Sequence, residues 1–427
     1  MPKIYNLIIL LSFFIFGCSG GEADYTLGDV QAGIKKTVQG QFIDETVEGL
    51  EYRRSSNNVG VTQAGGKYLY ESGELITFHI GALEIGTAGS GSILTPRELA
   101  HNSQVIEDNS VSNRVRLLLA LDSNSNKSGI QISDSIRQKA SNWDSTINFD
   151  QNEADFASAV EQVTKGDVLS GDLPSKDIAD KHFRKTLTCA YSGAYQGAWD
   201  VPDSNESSGY VGVMLQANGS VVVMGDGQTV NDQDNSIIYV VGNHDINNKS
   251  YTFNPQVYYY YDRADKVLKA VEDGTNISGV GSSVAYDHVI GSFSKGSQSG
   301  SYEVNRADAS NNAAYRFTGF GWDTNGGLPI GMIIMDIDPD GKVSGLIHYI
   351  ADVSIQPQLH GTVDFVSGDV TITVDAPDQN TLPIISDIRG SINFNDTSEE
   401  SALTWTTTDG SELGSVKLDG CQLQAID

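Results

Sequence analysis

Two acidic runs carry the residue types and spacing of a hard-cation site. Asp336, Asp338 and Asp340 stand at i, i+2 and i+4 ahead of Gly341 in DIDPDGKVSG, and Asp122, Asn124 and Asn126 repeat that spacing in DSNSNKSGIQIS. Oxygen ligands at alternate places before a turn glycine form the leading half of a calcium loop. Neither loop is completed. Ile347 and Ser133 stand where a bidentate carboxylate is needed, and Lys127 replaces the turn glycine of the second. An acidic hairpin turn is the expectation for the first run; structural calcium is the one cofactor candidate at either.

The run VYYYYDR puts Tyr258 and Tyr260 on one side of a strand and Tyr259 and Tyr261 on the other, so one pair meets solvent unless something covers it. Exposed tyrosines offer a large amphipathic area at low entropic cost and stack on sugars or dock proteins. Tyr258 and Tyr260 are therefore the candidate ligand-binding pair, with aromatic pairs on both faces of a barrel as the plain alternative. Of the seven histidines, His79, His288, His348 and His360 fall in or beside strand patterns, where a hydrogen-bonded structural role is expected. There is no His-Glu-x-x-His, P-loop or Cys-x-x-Cys, so no catalytic residue is nominated and the expectation is a protein that is not an enzyme.

The N-terminus reads as an export signal, with Lys3, an apolar stretch Leu7–Phe16 and Gly17 before the cut. That stretch is too short to cross a hydrocarbon core, which takes roughly 20 helical residues. Ile15-Phe16-Gly17-Cys18 resembles the bacterial lipobox. The resemblance implies removal of residues 1–17, lipidation of Cys18, and acylation of the new terminus. At about 0.8 kcal/mol per buried CH₂, several acyl chains would make a durable anchor. Ser19 after the cysteine implies outer-membrane sorting, facing the periplasm or the cell surface. With Cys18 so used, Cys189 and Cys421 remain, 232 positions apart (421 − 189). In an oxidising envelope an even count favours a disulfide, and two buried thiols are the alternative.

Charge excludes some partners. Acidic residues number 55 against 27 basic, a formal charge of −28, which opposes nucleic acid and a peripheral hold on anionic lipid. The 45 glycines, with only 10 prolines, point to turn-rich β structure.

The chain then divides as signal 1–17, lipid-anchored tether 18–40, β-sandwich 41–108, helical connector 109–188, and two β-meanders, 189–308 and 309–427. Within 41–108, Val47, Leu50 and Tyr52, then Tyr68 and Tyr70, then Ile76, Phe78 and Ile80 alternate at the strand period. Its phrasing, from VEGLEY to GALEIG, resembles the immunoglobulin-like or carboxypeptidase-regulatory-like modules of bacterial lipoproteins and adhesin-like surface proteins. Helical periodicity places Val111, Val115, Leu118 and Leu119 on one face with Asn109 or Ser110 as cap. Further helices are expected over Glu153–Val163 and Pro174–Leu187. In the C-terminal half, GVML at Gly212 answers GMII at Gly331, and GNHDI at Gly242 answers GTVDF at Gly361, both 119 apart (331 − 212 and 361 − 242). HVIGSF at Gly291 is matched with DIRGSI at Gly390. The Gly-Trp openings resemble the first strands of lipocalin-like and avidin-like up-and-down barrels, which leaves barrel and sandwich both open; a Cys189–Cys421 bridge would make the meanders one closed assembly. The expected fold is mainly β. The expected function is non-catalytic display of β domains for adhesion or for binding a carbohydrate or surface protein, with a periplasm-facing accessory or scaffold lipoprotein as the alternative and an envelope hydrolase third.

Overall fold

The computed structural model describes residues 36–101, 105–124, 129–202, 208–227, 236–254, 258–262, 267–271, 277–295, 297–307, 312–322, 329–349, 356–375, 385–394, 396–397, 401–407, 410 and 413–423. The expected signal, Cys18 and nearly all of the tether fall outside the described residues, as does Asn126.

The N-terminal module holds β1 (Val38–Phe42), β2 (Val47–Glu48), β3 (Glu51–Arg54), β4 (Val59–Val61), β5 (Lys67–Tyr70), β6 (Leu75–Ile80), β7 (Leu83–Gly89), β8 (Ile93–Leu94) and β9 (Ile130–Gln131). Two small sheets, ordered β5-β1-β8 and β4-β3-β6-β7, bury the alternate apolar residues of their strands in one core. Phe42 of the first meets Phe78 of the second with ring centroids 4.6 Å apart, and Tyr52 meets Tyr68 edge-on at 5.8 Å. Each such ring contributes roughly 1.5–3 kcal/mol by burial alone.

Four helices follow: α1 (Asn109–Ala120), α2 (Asp134–Ala140), α3 (Glu153–Val163) and α4 (Lys176–Tyr191). Helix α1 is apolar on two sides. Leu117 and Leu118 join the sandwich core, while Val111 and Val115 join Phe183 and Leu187 of α4 in the core of the first barrel. That double burial explains why a helix with buried Arg114 and Arg116 is stable: Arg114 donates to the carbonyl of Ile85, and Arg116 donates to Pro174 O and Asn113 Oδ1. The expected caps Asn109 and Ser110 lie inside α1, whose N-cap is Asp108. Asn152 caps α3 through the amides of Ala154 and Asp155.

The C-terminal half is two closed eight-stranded antiparallel barrels. Barrel 1 uses β10 (Gly193–Asp200), β11 (Ser208–Leu215), β12 (Ser220–Gly227), β13 (Ser236–Asp245) and β14 (Ser250–Phe253); a hairpin of β15 (Tyr258–Asp262) and β16 (Val267–Val271) intervenes before β17 (Ile277–Val284), β18 (His288–Lys295) and β19 (Gln298–Arg306). It closes because β10 pairs with both β11 and β19. Barrel 2 runs without interruption through β20 (Tyr315–Trp322), β21 (Pro329–Ile337), β22 (Lys342–Tyr349), β23 (Gln358–Val363), β24 (Asp369–Val374), β25 (Ile385–Ser391), β26 (Ala402–Thr407) and β27 (Leu413–Gln422), with β20 pairing β27. Side chains fill both interiors. Tyr251 and Tyr302 share a hydrogen bond of 2.7 Å inside barrel 1, and Trp405 is buried inside barrel 2, donating to Trp322 O.

The registers of the two barrels coincide. A Cβ built on Gly197 would lie 2.0 Å from the carbonyl oxygen of Glu303, and one on Gly319 would lie 2.0 Å from that of Lys417; each is a first-strand glycine crowded by the last strand. The two are 122 positions apart (319 − 197), as are the turn glycines Gly219 and Gly341, at φ 86° and 79°, which L side chains adopt only with strain. Gly242 and Gly361 correspond as read from the sequence, since each abuts the fifth strand, at Thr252 O and Thr371 O.

Other matches shift. Gly197 pairs with Val211 and Gly319 with Ile333, so Val211 and Ile333 correspond and the GVML–GMII match is displaced by three. An odd shift moves every side chain to the other face: Val213 points inward, but Met332 points out. Gly390 corresponds to Gly281, because both sit in the sixth strand opposite the equivalent pair Val370 and Tyr251, whereas Gly291 is in the seventh. The meanders do not merge into one assembly. Cys189 lies in α4 rather than in the first strand, and β10 and β27 each pair within their own barrel.

Candidate functional site

Among the described residues, the hairpin β15–β16 is the one element of barrel 1 without a counterpart in barrel 2. It branches from β13: Asp245, His244 and Asn243 pair with β14 and continue the barrel, while Ile238 and Tyr239 pair with Tyr260 and Tyr259 of β15. Tyr258 to Asp262 then pair in full with Val271 to Val267 of β16. Among the described residues β16 has no second neighbour, so a row of backbone donors and acceptors is left at the edge of the sheet. The candidate pair Tyr258 and Tyr260 therefore sits at alternate register positions on a strand outside the barrel wall.

A second feature is a cavity of about 450 Å³ where the sandwich, α4 and both barrels meet. Its wall includes Glu45, Lys67, His182, Lys185, Tyr286, Arg316 and Asp396, together with Cys189 and Cys421. Those two cysteines form a disulfide with Cα atoms 5.8 Å apart, joining α4 to the last strand. The Ser192 carbonyl just past α4 accepts from Arg306 of barrel 1 and, at 3.1 Å, from Arg316 of barrel 2. One guanidinium from each barrel thus neutralises the negative end of the helix dipole. Arg306 also lies over the Tyr286 ring, 4.3 Å from its centroid. Arg316 makes a bidentate pair with Asp336 at 2.7 and 2.8 Å, both residues almost fully buried.

On the opposite wall, His182 Nε2 lies 3.2 Å from Asp44 Oδ1, and His182 Nδ1 lies 3.8 Å from Glu45 Oε1. Burial pulls the imidazole down, but the Asp44 and Glu45 carboxylates outweigh it and hold the His182 pKa above its ordinary value. Burial pushes the Asp44 carboxyl above its ordinary range, against the opposing pull of the His182 imidazole. Thr186, one turn along α4, accepts from the amide of Glu45. These groups tie the turn at Asp44 and Glu45 to the helix, an arrangement that fixes geometry rather than poising a base.

The acidic candidates go to other uses. Asp122 Oδ1 accepts from the amides of Asn124 and Gln131, closing its own loop. Asp336 is engaged by Arg316, and Asp338 and Asp340 shape the β21–β22 turn, where the Asp338 amide donates to Lys342 O and Asp340 Oδ1 accepts from the Lys342 amide. Among the described residues no group of three or more His, Cys, Asp or Glu could hold a metal ion. His288 and His360 pair with Asp287 and Asp375, and His79 Nδ1 meets Gly81 O. His348 departs from the expected hydrogen-bonded role, since neither ring nitrogen has a partner and burial pushes its pKa down to about 4.

Sequence reasoning missed Arg316, Asp44 with His182, and Arg97, which is buried and donates to the carbonyls of Ile246 and Asn247 to lock the sandwich onto barrel 1. The available signal was a lone arginine inside an apolar strand, AAYRFTGF. No helix among the described residues is long and apolar enough to cross a membrane. Compared with known proteins, the chain matches no family model and no curated sequence significantly.

Proposed function

We propose that the protein is a lipid-anchored bacterial envelope protein, not an enzyme, that displays its β domains for adhesion or ligand binding, with the β15–β16 hairpin as the recognition element. The anchor in this reading is Cys18, on the strength of the lipobox-like Ile15-Phe16-Gly17-Cys18. The observation that carries the reading is the hairpin: two barrels agree in register strand by strand, and the single insertion is a tyrosine-rich ribbon with an open edge. An extended partner segment can add to such an edge through main-chain hydrogen bonds, and tyrosines beside it supply selectivity. The sandwich and helices serve as a stalk, and the junction disulfide keeps the display stiff in an oxidising space.

The test compares cells expressing the full chain with cells whose chain lacks residues 257–272, on surfaces coated with glycans or with host or neighbour-cell surface proteins. Adherence that depends on the hairpin supports the reading. Equal adherence of both, with equal amounts of folded protein on the membrane, overturns it.

A further inference from the structure

We propose that the seam between the two barrels is a binding site for a soft monovalent metal ion, Cu(I) in a cell, ligated by the thioethers of Met214, Met224 and Met332 and the imidazole of His348. The inference is independent of the display reading. The chain has five methionines, and three of them gather in one buried cluster at this seam. Met214 and Met224 come from the outer face of β11 and β12; Met332 comes from the outer face of β21, and all three are 0 % exposed. Met332 reaches across to Gly212: a Cβ at that glycine would stand 3.6 Å from the Met332 methyl carbon, an ordinary contact distance. Met224 lies directly across the ladder from Gly212, and Met214 is two residues along the same strand, so the Met332 side chain enters between them.

His348 lies directly across the ladder from Met332 and is 1 % exposed, on the outer face of β22 because its neighbours Ile347 and Tyr349 point into barrel 2. Neither of its ring nitrogens has a hydrogen-bond partner. Leaving a buried polar group without a hydrogen bond is costly, so a packing role alone favours an apolar residue here. An imidazole without a hydrogen-bond partner, across the ladder from a methionine that clusters with two more, is instead a ligand set suited to Cu(I), because soft sulfur donors prefer soft ions. Trp322, half-buried against the same cluster, marks where the seam approaches solvent.

The experiment uses the full chain in detergent, in a Cys18→Ser background so that no free thiol competes, with Cu(I) added anaerobically against a chromogenic Cu(I) chelator. The expected result is one equivalent withheld from the chelator, an X-ray absorption spectrum with both sulfur and nitrogen neighbours, and a higher Tm with the ion. Met332→Leu and His348→Leu should each weaken binding at least about 10-fold. Met→Leu keeps the apolar volume and is among the best tolerated core changes, so the seam persists, and Met214→Leu serves as the second thioether variant. A chelator that strips all the copper, or binding unchanged in both the methionine and histidine variants, overturns the proposal.

Discussion

Where barrel 2 carries Arg316 against Asp336, barrel 1 carries Ala194 opposite Met214 at the same register positions. The apolar pair packs into the seam, with Ala194 against Ile334 and Leu346. The charged pair sits at the corner where barrel 2 meets the end of α4, and Arg316 reaches the Ser192 carbonyl there. A shared register therefore leaves each barrel free to adapt its outer face to whatever it touches, while the interiors stay apolar. The same contrast holds for the edge: among the described residues no strand lies between β24 and β25, and barrel 1 inserts a hairpin at that point. The two barrels share a frame, and the differences concentrate on the outside.

The largest effect should come from breaking the charged corner. Asp336→Ala leaves a buried guanidinium without its counter-ion and should cost about 3–5 kcal/mol in chemical denaturation. Installing the barrel 1 pair as Arg316→Ala with Asp336→Met should cost less than that single change; an equal or greater loss would mean the two corners are not interchangeable. Next in size is the junction disulfide. Cys189→Ser with Cys421→Ser opens a loop of 232 residues and should lower stability by about 2–5 kcal/mol, read as a fall in Tm under non-reducing conditions.

The glycine pair sharpens the comparison. Gly197→Ala and Gly319→Ala each force a methyl group against a neighbouring carbonyl, and matched losses of about 1–3 kcal/mol are expected in the two barrels. A large disparity would break the equivalence of the first strands. The smallest effect concerns His182, which has no counterpart within either barrel. Its pKa is raised in the folded protein, so its contribution is fully present below the ordinary histidine value of 6.5 and is lost as the pH climbs through the folded pKa. Tm followed across that window should decline in the wild type and decline less in His182→Gln.

Much of the frame was legible because buried strands write a period of two and turns write glycine. Glu153–Val163 is helical as its spacing demands, and the expectation of paired meanders matches two barrels. Helix α2 escaped because seven residues with one fully buried side chain, Ala140, carry too little periodicity. The β half expected from Cys189 begins instead at Gly193, because packing of Leu187 and Tyr191 on barrel 1 carries α4 on through Tyr191. The repeat was detected at the wrong register in the second strand, since Gly-rich matches ignore which face a residue occupies. Of the junction, the Cys189–Cys421 bridge was legible from the cysteine count, but Asp44 and His182 are 138 positions apart (182 − 44), and nothing local announces their meeting.

The display account stands most directly on where the hairpin lies on a living cell. A protease site placed between Asp262 and Val267 of the full chain, with intact cells then exposed to that protease, addresses this in one step. The account predicts cleavage at the inserted site on intact cells, with both barrels left whole. Cleavage only after the outer membrane has been permeabilised would contradict it and put the protein on the periplasmic side.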